Sequence, residues 1–589
     1  MLVYGDRIRP VSGQAMLDQL RTELADLARL PPGIDRHAAL VTPFISAAQL
    51  LQAVADRTFD AAGCDGWTPP AAMLATVVQQ LASAVDTSWT SDFRAIAPLP
   101  AIPRRLVLPG RLMLRQPEGY AYYALYPEAY ADAARRLVLT GPPRVIGIRS
   151  IGTGLAAMVA AALEAPLPLT VRPTGDPFQR RIRLDPRAAA DLLSDRSAHF
   201  VVVDEGPGLS GSSFGSVADW LEDHGVPTAR IAFLPSHAGP PGPMASDRHR
   251  QRWEQVQTSA ADIGPLLPGL LARWAERRLG PLLSPIEDLS GGQWRRQLYA
   301  REEDWPAAIP GQERRKYLVT TAGGQWLLRF AGLGDAGQET LARARHLHAR
   351  GLTPEPLGLL HGFLVERWHA DGRPLRSARP AMVGLSTYLQ ARAAMAVPAS
   401  ERGASTGLLL TMARRNTELA LGQHWSDQLS GWEGEVARLD AAIQPVAIDG
   451  RMDAHKWLEL ADGRLLKADA ADHCAAHDLV GCQDILWDVA GAATELSLES
   501  AAVDALALAV GAADARPDDR LLLAFCRICY PAFRLGQASL ALSAMAPETP
   551  EAARLSKRIE MLAADLRRAI SAGIPPVPET PAELVRASL

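Results

Sequence analysis

The fold of the first half of this chain is decided by residues 201–213, which read VVVDEGPGLSGSS. An apolar, β-branched run ends there in Asp204 and Glu205, and a loop of glycines and hydroxyls then leads into a helical pattern from Phe214. Ligands of open α/β sheets bind beyond the carboxyl ends of the strands, which is where the two acids would lie. The loop adds backbone N–H groups, hydroxyls and the positive end of a helix dipole, all of which attract phosphate. The stretch therefore predicts a single loop that binds a sugar and its phosphate.

A second unit of strand and glycine-rich turn lies upstream, at residues 144–154, which read RVIGIRSIGTG. Its turn offers Arg149 as a cation, and Gly152 permits close approach of a ligand to the backbone. Between the two units, residues 171–183 carry four arginines in a stretch broken by proline and glycine. Such a stretch predicts either a mobile flap that closes over a pyrophosphate or a solvated basic hairpin.

The order of turn, basic flap and sugar-phosphate loop resembles that of the type I phosphoribosyltransferases, over about residues 110–237. The resemblance implies a parallel-sheet domain that binds phosphoribosyl diphosphate with Mg²⁺ and displaces pyrophosphate at the anomeric carbon. In that scheme Asp204 and Glu205 are catalytic and hold the ribose hydroxyls. The further contacts of phosphoribosyl diphosphate that the resemblance implies are Arg149, Ser150, Gly152, Arg180, Arg181, Gly208, Ser210, Gly211, Ser212 and Ser213.

Two departures from that family's pattern concern the loop itself. The second acid is Glu205 where the family usually has Asp, and the spacer before Ser210 is one residue longer. The alternative interpretation is an ordinary glycine and serine turn after a buried strand.

The composition sets limits on the rest of the chain. At 589 residues it is too long for one core, so we expect three or four domains. A net charge of −4 argues against nucleic acid and against an anionic membrane as partners. Five unevenly spread cysteines indicate a reducing, cytoplasmic location without a disulfide framework. The apolar window at 154–171 contains Glu164 and two prolines, which is not typical of a membrane span.

We predict an α/β multidomain protein from this organisation. A helical N-terminal region occupies residues 1–94, and the parallel-sheet domain that resembles phosphoribosyltransferases occupies 95–237. A linker and helical connection covers 238–288, and a two-lobed domain covers 289–589. Within the second region, the aromatic cluster at 119–127 either lines an acceptor pocket or consists of buried tyrosines bonded to backbone. The sequence leaves the oligomeric state and the acceptor open.

The last region has its own pattern of turns and acids. Residues 290–295 read SGGQWR, a glycine turn before a predicted strand, and residues 316–330 follow as a predicted hairpin. Much later, Asp453 lies in a short loop and Asp469 follows a hydrophobic strand. Residues 483–491, QDILWDVAG, then begin a helix.

This series resembles the aminoglycoside-phosphotransferase and choline-kinase branch of the protein-kinase-like fold, over about residues 289–589. The resemblance implies that Asp453 is catalytic and orients an acceptor hydroxyl, that Asp469 holds Mg²⁺, and that the pair Asp484 and Asp488 supports the site. Arg329 or Lys316 would take the place of the usual strand lysine, with Glu339 as its helix partner. The residues implied for ATP binding are Gly291, Gly292, Arg329 and Glu339.

Three departures from that family's pattern occur here, one of them at the metal site. Leu458 stands where the family has a metal-binding Asn, Arg451 replaces the usual His, and Arg329 is not the usual Lys. Two interpretations remain open: a lobe that transfers phosphate with an altered metal site, or one that only binds.

A zinc site is a further alternative, because His473, Cys474, His477 and Cys482 fall within ten residues, with His455 not far away. Their spacing lacks the paired forms common in structural zinc sites. Cys526 and Cys529 form a CxxC at helical spacing beside apolar residues, which predicts packing as small hydrophobes.

The whole sequence thus predicts a transferase that uses phosphoribosyl diphosphate and Mg²⁺ on an unidentified small-molecule acceptor, fused to an ATP-binding domain. The alternatives are a non-catalytic sensor of nucleotide or phosphoribosyl diphosphate that acts through a partner, and a hydrolytic use of the same phosphate loop.

Overall fold

The computed structural model describes residues 4, 7–376, 381–511 and 516–575. Its strands are β1 Ile8–Val11, β2 Leu112–Arg115, β3 Pro143–Ile148, β4 Leu169–Val171, β5 His199–Val203, β6 Ile231–Leu234, β7 Gln257–Thr258, β8 Glu287–Asp288, β9 Lys316–Thr321, β10 Gly324–Phe330, β11 Pro356–Leu360, β12 Phe363–Arg367, β13 Arg373–Pro374, β14 Trp457–Glu459 and β15 Leu465–Lys467.

The helices of the first half are α1 Gly13–Leu27, α2 Ile34–Ala62, α3 Pro69–Thr90, α4 Glu118–Tyr122, α5 Pro127–Arg135, α6 Gly152–Ala162, α7 Pro186–Leu192, α8 Ser212–Asp223, α9 Asp247–Gln255 and α10 Leu267–Leu279. Those of the second half are α11 Arg295–Leu298, α12 Asp335–His348, α13 Met382–Ala393, α14 Thr406–Leu421, α15 Gln423–Asp427, α16 Val436–Ala442, α17 Leu486–Glu495, α18 Ser500–Gly511, α19 Asp519–Ser543 and α20 Pro550–Ser571.

The first half is built on an all-parallel sheet with the order β4-β3-β5-β6-β7. Every residue of β5 is buried, as expected of a central strand covered on both faces. Strand β3 comes first along the chain, and it has β4 on one side and β5 on the other. The order in which strands are added to the sheet therefore reverses at β3. Ligand crevices of doubly wound sheets open at such switch points, which here lie at the ends of β3 and β5.

The parallel-sheet domain extends past the predicted boundary at residue 237. Both α9 and the edge strand β7 fall within 238–288, which the sequence pattern indicated as a linker and helical connection. The reason is composition: α9 reads DRHRQRWEQ, which is too polar to show an apolar stripe. Likewise the N-terminal helices are not a separate unit, because α2 and α3 pack on α6 and share one core with it.

The second half begins with a five-stranded antiparallel sheet in the order β11-β12-β10-β9-β8. The predicted hairpin is present as β9 and β10, which pair from Lys316 with Arg329 to Thr321 with Gly324. The strand expected after the glycine turn at 290–295 is instead the short helix α11. A helical lobe follows around a second core, with the small sheet β13-β14-β15 at its edge. As predicted, Cys526 and Cys529 are buried in α19.

Helix α2 is long and apolar enough to cross a membrane by length and composition alone. In the structure 78% of its apolar window is buried inside the protein. It is therefore a core helix of this fold, against which α1 and α3 pack.

A buried carboxylate joins the two halves. Glu128 on α5 is wholly buried, and its Oε1 lies 2.7 Å from His37 Nε2 on α2 and 3.0 Å from His361 Nε2 in the turn between β11 and β12. Burial raises the pKa of Glu128, but the two imidazoles outweigh it and hold that pKa well below its usual range. Three segments far apart in the chain thus meet at one ionised oxygen.

We expect Glu128→Ala to lower the free energy of unfolding by about 3 kcal/mol, because it leaves two buried imidazole N–H groups without an acceptor. Urea denaturation followed by circular dichroism measures this. Glu303→Ala is the control, since the Glu303 side chain is 76% exposed and should change stability by less than about 0.5 kcal/mol. Equal effects of the two changes would contradict the structural role given to Glu128.

Candidate functional site

The predicted sugar-binding acids lie at the switch point of the parallel sheet, directly after β5. Asp204 and Glu205 are both half-buried. The backbone N–H of Glu205 donates to Asp204 Oδ1 at 2.8 Å, and the Tyr130 hydroxyl donates to the Asp204 carbonyl at 2.9 Å. A Cβ added to Gly119 on α4 would lie 3.1 Å from Glu205 Oε1, so this glycine lets the carboxylate lie against the helix. Hydrogen bonds thus fix Asp204, and the Glu205 carboxylate lies against α4.

The carboxyl groups of these two acids have a higher pKa than usual. Burial raises the pKa of Asp204 to about 7, although Arg180 and Arg172 act in the opposite direction. Burial and then the charge of Asp204 raise the pKa of Glu205 to about 7. A closely spaced acid pair with a raised pKa is typical of a site that receives a cation or a hydrogen-bond donor from its ligand.

The basic flap and the hydroxyl loop meet beside these acids. Thr174 and Arg181 form an antiparallel bridge, so residues 174–181 are a tight hairpin. Ser210 Oγ and Ser212 Oγ both donate to the Pro177 carbonyl, at 3.0 and 2.7 Å. Arg180 Nη1 donates to Ser213 Oγ at 3.0 Å. The structure therefore closes the hairpin onto the loop, and it brings together the flap and loop segments that the sequence singled out.

Glycines give that loop its path. Gly208 and Gly211 have φ of 62° and 64°, a left-handed conformation that favours glycine, and Gly211 directly precedes α8. Gly208 is exposed, while Ser210 and Ser212 are buried under the flap. The N-terminus of α8 thus lies at the end of the loop, as the sequence predicted.

Arg149 has a different place from the one predicted. It is 5% exposed, its Nε donates to Asp56 at 2.9 Å, its Nη2 pairs with Asp65, and its Nη1 donates to the Thr170 carbonyl at 3.1 Å. The expectation of a free cation for pyrophosphate is wrong in this arrangement, because two carboxylates already neutralise the guanidinium. Those acids lie on α2 and just after it, in the region that the sequence pattern separated from the sheet.

The neighbours of Arg149 also serve packing. A Cβ on Gly152, the first residue of α6, would lie 2.8 Å from the Val203 carbonyl, so this glycine allows α6 to approach β5. Ser150 lies in the turn between β3 and α6. The Arg181 side chain is exposed, and its backbone N–H bonds to the Thr174 carbonyl. Contact of Ser150, Gly152 and Arg181 with pyrophosphate stays a prediction.

The raised pKa of Asp204 predicts a pH-dependent cost to stability. The folded state binds this proton up to about pH 7, whereas the unfolded chain loses it near pH 4, so the contribution of Asp204 to stability falls between those values as pH rises. Asp204→Asn should raise Tm by about 2 °C or more at pH 8 and lose that gain towards pH 4. Asp191→Asn, at a 69% exposed side chain on α7, should change Tm at neither pH. A pH-independent effect of Asp204→Asn would contradict the expectation.

The second site is a cleft of about 370 Å³ between the antiparallel sheet and the helical lobe. Its walls include Lys316 and Arg329 from the sheet, Asp453 and Asp469 from the lobe, and the aromatic pair Tyr122 and Tyr123 around the end of α4. The Tyr122 hydroxyl donates to the Ala475 carbonyl at 2.6 Å, and its ring lies under the Arg314 guanidinium. Tyr122 and Tyr123 therefore line the cleft of the second half, and Tyr122 bonds to backbone as one of the two alternatives predicted. An acceptor pocket for the parallel-sheet domain, the other alternative, stays a prediction.

The loop that carries Asp453 is held by hydrogen bonds to a buried carboxylate. Asp488 at the start of α17 is fully buried and accepts the backbone N–H groups of Asp449 at 2.7 Å and Gly450 at 2.8 Å. Asp484 instead pairs with Arg516 at 2.8 Å. Arg534 on α19 donates to both oxygens of Asp453, at 2.7 and 3.3 Å. Burial acts to raise the pKa of Asp453, but Arg534 outweighs it and holds the pKa well below its usual range.

Asp469 was expected to hold Mg²⁺, and its surroundings give a test of that fit. Asp469, Asp472 and His473 place ligand atoms within 4.8 Å of one another. However, Lys456 Nζ lies 2.6 Å from Asp469 Oδ2 and 3.2 Å from His473 Nε2. Arg329 Nη1 lies 2.9 Å from Asp472 Oδ2 and 3.5 Å from Asp469 Oδ1. Two cationic side chains therefore neutralise the carboxylates, and the residues do not fit a magnesium ion in this arrangement.

Lys456 is the residue that sequence analysis missed in this cleft. Counting from Asp453 pointed to Leu458, which lies in β14 opposite Leu466. The side chain that reaches Asp469 comes from two residues earlier. Burial lowers the pKa of Lys456 to about 8 although Asp469 acts against it, so the ammonium is largely protonated at neutral pH. The sequence did offer a signal, because Lys456 stands in this loop only two residues before Leu458.

The residues expected to bind ATP are only partly together. Arg329 lines the cleft, but its acidic partners all lie outside α12. They are Asp472 at 2.9 Å, Asp469 at 3.5 Å and Glu366 at 3.7 Å. Glu339 on α12 is not its partner. It pairs with Arg7 and Arg343, at 3.8 Å each, and lines a separate small pocket against the N-terminal segment.

The glycine turn at residues 290–295 has a structural role. The sequence had suggested that its glycines, Gly291 and Gly292, contact the nucleotide. Gly291 and Gly292 have φ of 60° and 86°, and the N–H of Gly292 donates to Glu313 Oε2 at 2.9 Å. Neither glycine lines the cleft, whereas Trp294 two residues further on does. The glycines therefore shape the turn that carries Trp294.

The suggested zinc ligands are dispersed. His473 lies against Asp449 at 3.2 Å, His477 stacks on Tyr122 with centroids 4.7 Å apart, and Cys482 Sγ donates to the Cys474 carbonyl. Within the described ranges, there are two triads of metal-ligand residues whose ligand atoms lie within 4.8 Å of one another. Neither triad contains a cysteine. The structure thus does not assemble the cysteine and histidine site considered from the sequence.

No protein-family model matches the chain, and no curated protein matches it. Among solved structures, the choline kinase LicA from Streptococcus pneumoniae is similar at 14% identity, with 51% of this chain and 99% of that chain covered and a TM-score of 0.34. A choline/ethanolamine kinase family protein from Mesorhizobium loti is 17% identical, with 52% and 98% covered and a TM-score of 0.33. Spectinomycin phosphotransferase APH(9)-Ia, in complex with ADP and spectinomycin, is 11% identical, with 51% and 98% covered and a TM-score of 0.34.

Proposed function

We propose that this chain is a transferase that takes a phosphorylated ribose donor, of the phosphoribosyl diphosphate type, at the parallel-sheet site. The observation that supports it is the meeting of Asp204 and Glu205, the flap arginine Arg180 and the hydroxyl loop at the switch point of the sheet. Acids for sugar hydroxyls and cations with hydroxyls for phosphate are what such a donor requires. The same site would also serve a protein that senses the donor without reacting.

The chemistry proposed for that site is a displacement at the anomeric carbon. The acceptor forms a bond to this carbon while the carbon–oxygen bond to pyrophosphate breaks, and pyrophosphate leaves with the electron pair. Asp204 and Glu205 bind the ribose hydroxyls or the water shell of Mg²⁺, which neutralises the leaving group when bound. Closure of the flap over the loop excludes water, which would otherwise act as the acceptor.

The first test is donor binding. Asp204→Asn should weaken binding of phosphoribosyl diphosphate with Mg²⁺ by about tenfold or more, because a charged hydrogen-bond acceptor is lost. Isothermal titration calorimetry measures this, with Asp191→Asn as the control for charge alone. An affinity unchanged in Asp204→Asn would exclude the acids as the sugar site. Release of pyrophosphate on addition of bases, amines or small acids then separates a transferase from a sensor.

We further propose that the cleft of the second half binds ATP, as a kinase-like domain. Support comes from the cleft between a five-stranded antiparallel sheet and a helical lobe, and from Asp488 holding the backbone beside the Asp453 loop. In this proposal Asp453 orients an acceptor hydroxyl, once Arg534 moves or shares the carboxylate. A binding role without transfer is the second candidate, favoured by the position of Lys456 against Asp469.

The second test distinguishes transfer from binding in this cleft. Asp453→Asn should leave the affinity for ATP within twofold of the wild type and abolish any ATP-dependent product, because the change affects the acceptor side only. Calorimetry with ATP and detection of released ADP give the two readouts. Glu433→Gln, at a 59% exposed side chain, is the matched control. If the wild type itself forms no ADP with any acceptor while ATP binds, the binding role stands.

A further inference from the structure

We infer that the cleft of the second half is a metal-free phosphate site, in which Lys456, Arg329 and Arg451 bind the phosphates of a nucleotide in place of a divalent cation. This inference rests on the proposed nucleotide binding and specifies how the phosphates are held. Three independent features of the cleft carry it.

The first feature is the position of the Lys456 ammonium. It lies between Asp469 Oδ2 at 2.6 Å and His473 Nε2 at 3.2 Å, inside the only described group of metal-ligand types that lines this cleft. A divalent cation bound to Asp469 and His473 would have to displace Lys456. The ammonium already supplies positive charge at that point, with three N–H donors to share between the carboxylate and a phosphate.

The second feature is a set of buried donors that make no hydrogen bond. Arg329 is 1% exposed and lines the cleft, yet its Nη2 makes no hydrogen bond, and its Nε has only the longer ion pair with Glu366 at 3.7 Å. The Nε of Arg451, which also lines the cleft, is buried without a partner as well. A buried N–H group without an acceptor costs free energy, and phosphate oxygens are strong acceptors that guanidinium groups bind at two points.

The third feature is the balance of charge. Lysines and arginines outnumber aspartates and glutamates seven to five in the lining of the cleft. Outside the lining, Glu366 pairs with Arg329, and Glu495 pairs with Arg534 and Arg558. The carboxylate oxygen left without a partner there is Asp472 Oδ1, and the other oxygen of that group bonds to Arg329 at 2.9 Å. One free oxygen beside an arginine is a poor site for magnesium, which takes oxygen ligands in octahedral geometry. An excess of cations instead favours a bare polyphosphate.

Calorimetry of the whole 589-residue chain with ATP tests the inference, once in EDTA and once in excess Mg²⁺. We expect wild-type affinity in EDTA to equal or exceed that in Mg²⁺, because the metal competes for the phosphates. Lys456→Met, which keeps the length of the side chain, should weaken binding in EDTA by tenfold or more. Lys456→Asn removes the cation and places an oxygen ligand near Asp469, so it should make binding dependent on Mg²⁺. The exposed Lys557→Met is the matched control and should bind as the wild type does.

Each outcome bears on one claim. ATP binding by the wild type only in Mg²⁺ would overturn the metal-free site and leave the proposed nucleotide binding intact. No binding in either condition would overturn the nucleotide binding itself. Unchanged affinity of Lys456→Met in EDTA would also overturn the inference. If the Lys456 variants fail to fold by circular dichroism, Arg451→Gln tests the same donors and should weaken binding in EDTA by several-fold. Binding of Mn²⁺ at this cleft, detected by paramagnetic resonance and lost in Asp469→Asn, would contradict it independently.

Discussion

The ionised oxygen of Glu128 is the constraint on which the arrangement of this protein depends. His37 and His361 both bond to it, so the N-terminal helices and the antiparallel sheet are tied to α5 of the parallel-sheet domain. Around this point one buried core runs from Leu17 in α1 to Val365 in β12. A charge with two directional partners cannot tolerate much displacement in an apolar core, because each lost bond leaves a buried polar group. The two sites are therefore held at a fixed relation to each other.

That fixed relation places the short helix α4 between them. At its start, Gly119 lies against the Glu205 carboxylate of the sheet site, and at its end Tyr122 and Tyr123 line the cleft of the second half. Arg314 from the second half donates to the Ala121 carbonyl of the same helix at 3.1 Å. One helix of five residues thus contacts both sites.

Local patterns predicted what local forces determine. The strand before Asp204, its glycine loop and the following helix are present, because a β-branched run and positive-φ glycines dictate them over a dozen residues. The pairings were not predictable in this way. The partners of Arg149 are Asp56 and Asp65, about ninety residues earlier in the chain. Lys456 lies three residues after Asp453, whereas the family pattern pointed to the fifth. Such contacts depend on how the domains pack, which periodicity does not report.

The two sites use carboxylates in opposite ways. Burial raises the pKa of both Asp204 and Glu205 to about 7. The charge of Asp204 adds to the rise for Glu205, whereas the Glu205 backbone N–H acts to lower the pKa of Asp204. Both acids gain free energy from any cation that a ligand brings, since it offsets the cost of burying their charge. In the cleft, Asp469 and Asp472 already have Lys456 and Arg329 beside them, so an incoming metal would add repulsion. If a divalent cation serves this protein, electrostatics favours the parallel-sheet site. In the cleft, Lys456 and Arg329 are already paired with carboxylates, and an anion would bind to the buried N–H groups of Arg329 and Arg451 that make no hydrogen bond.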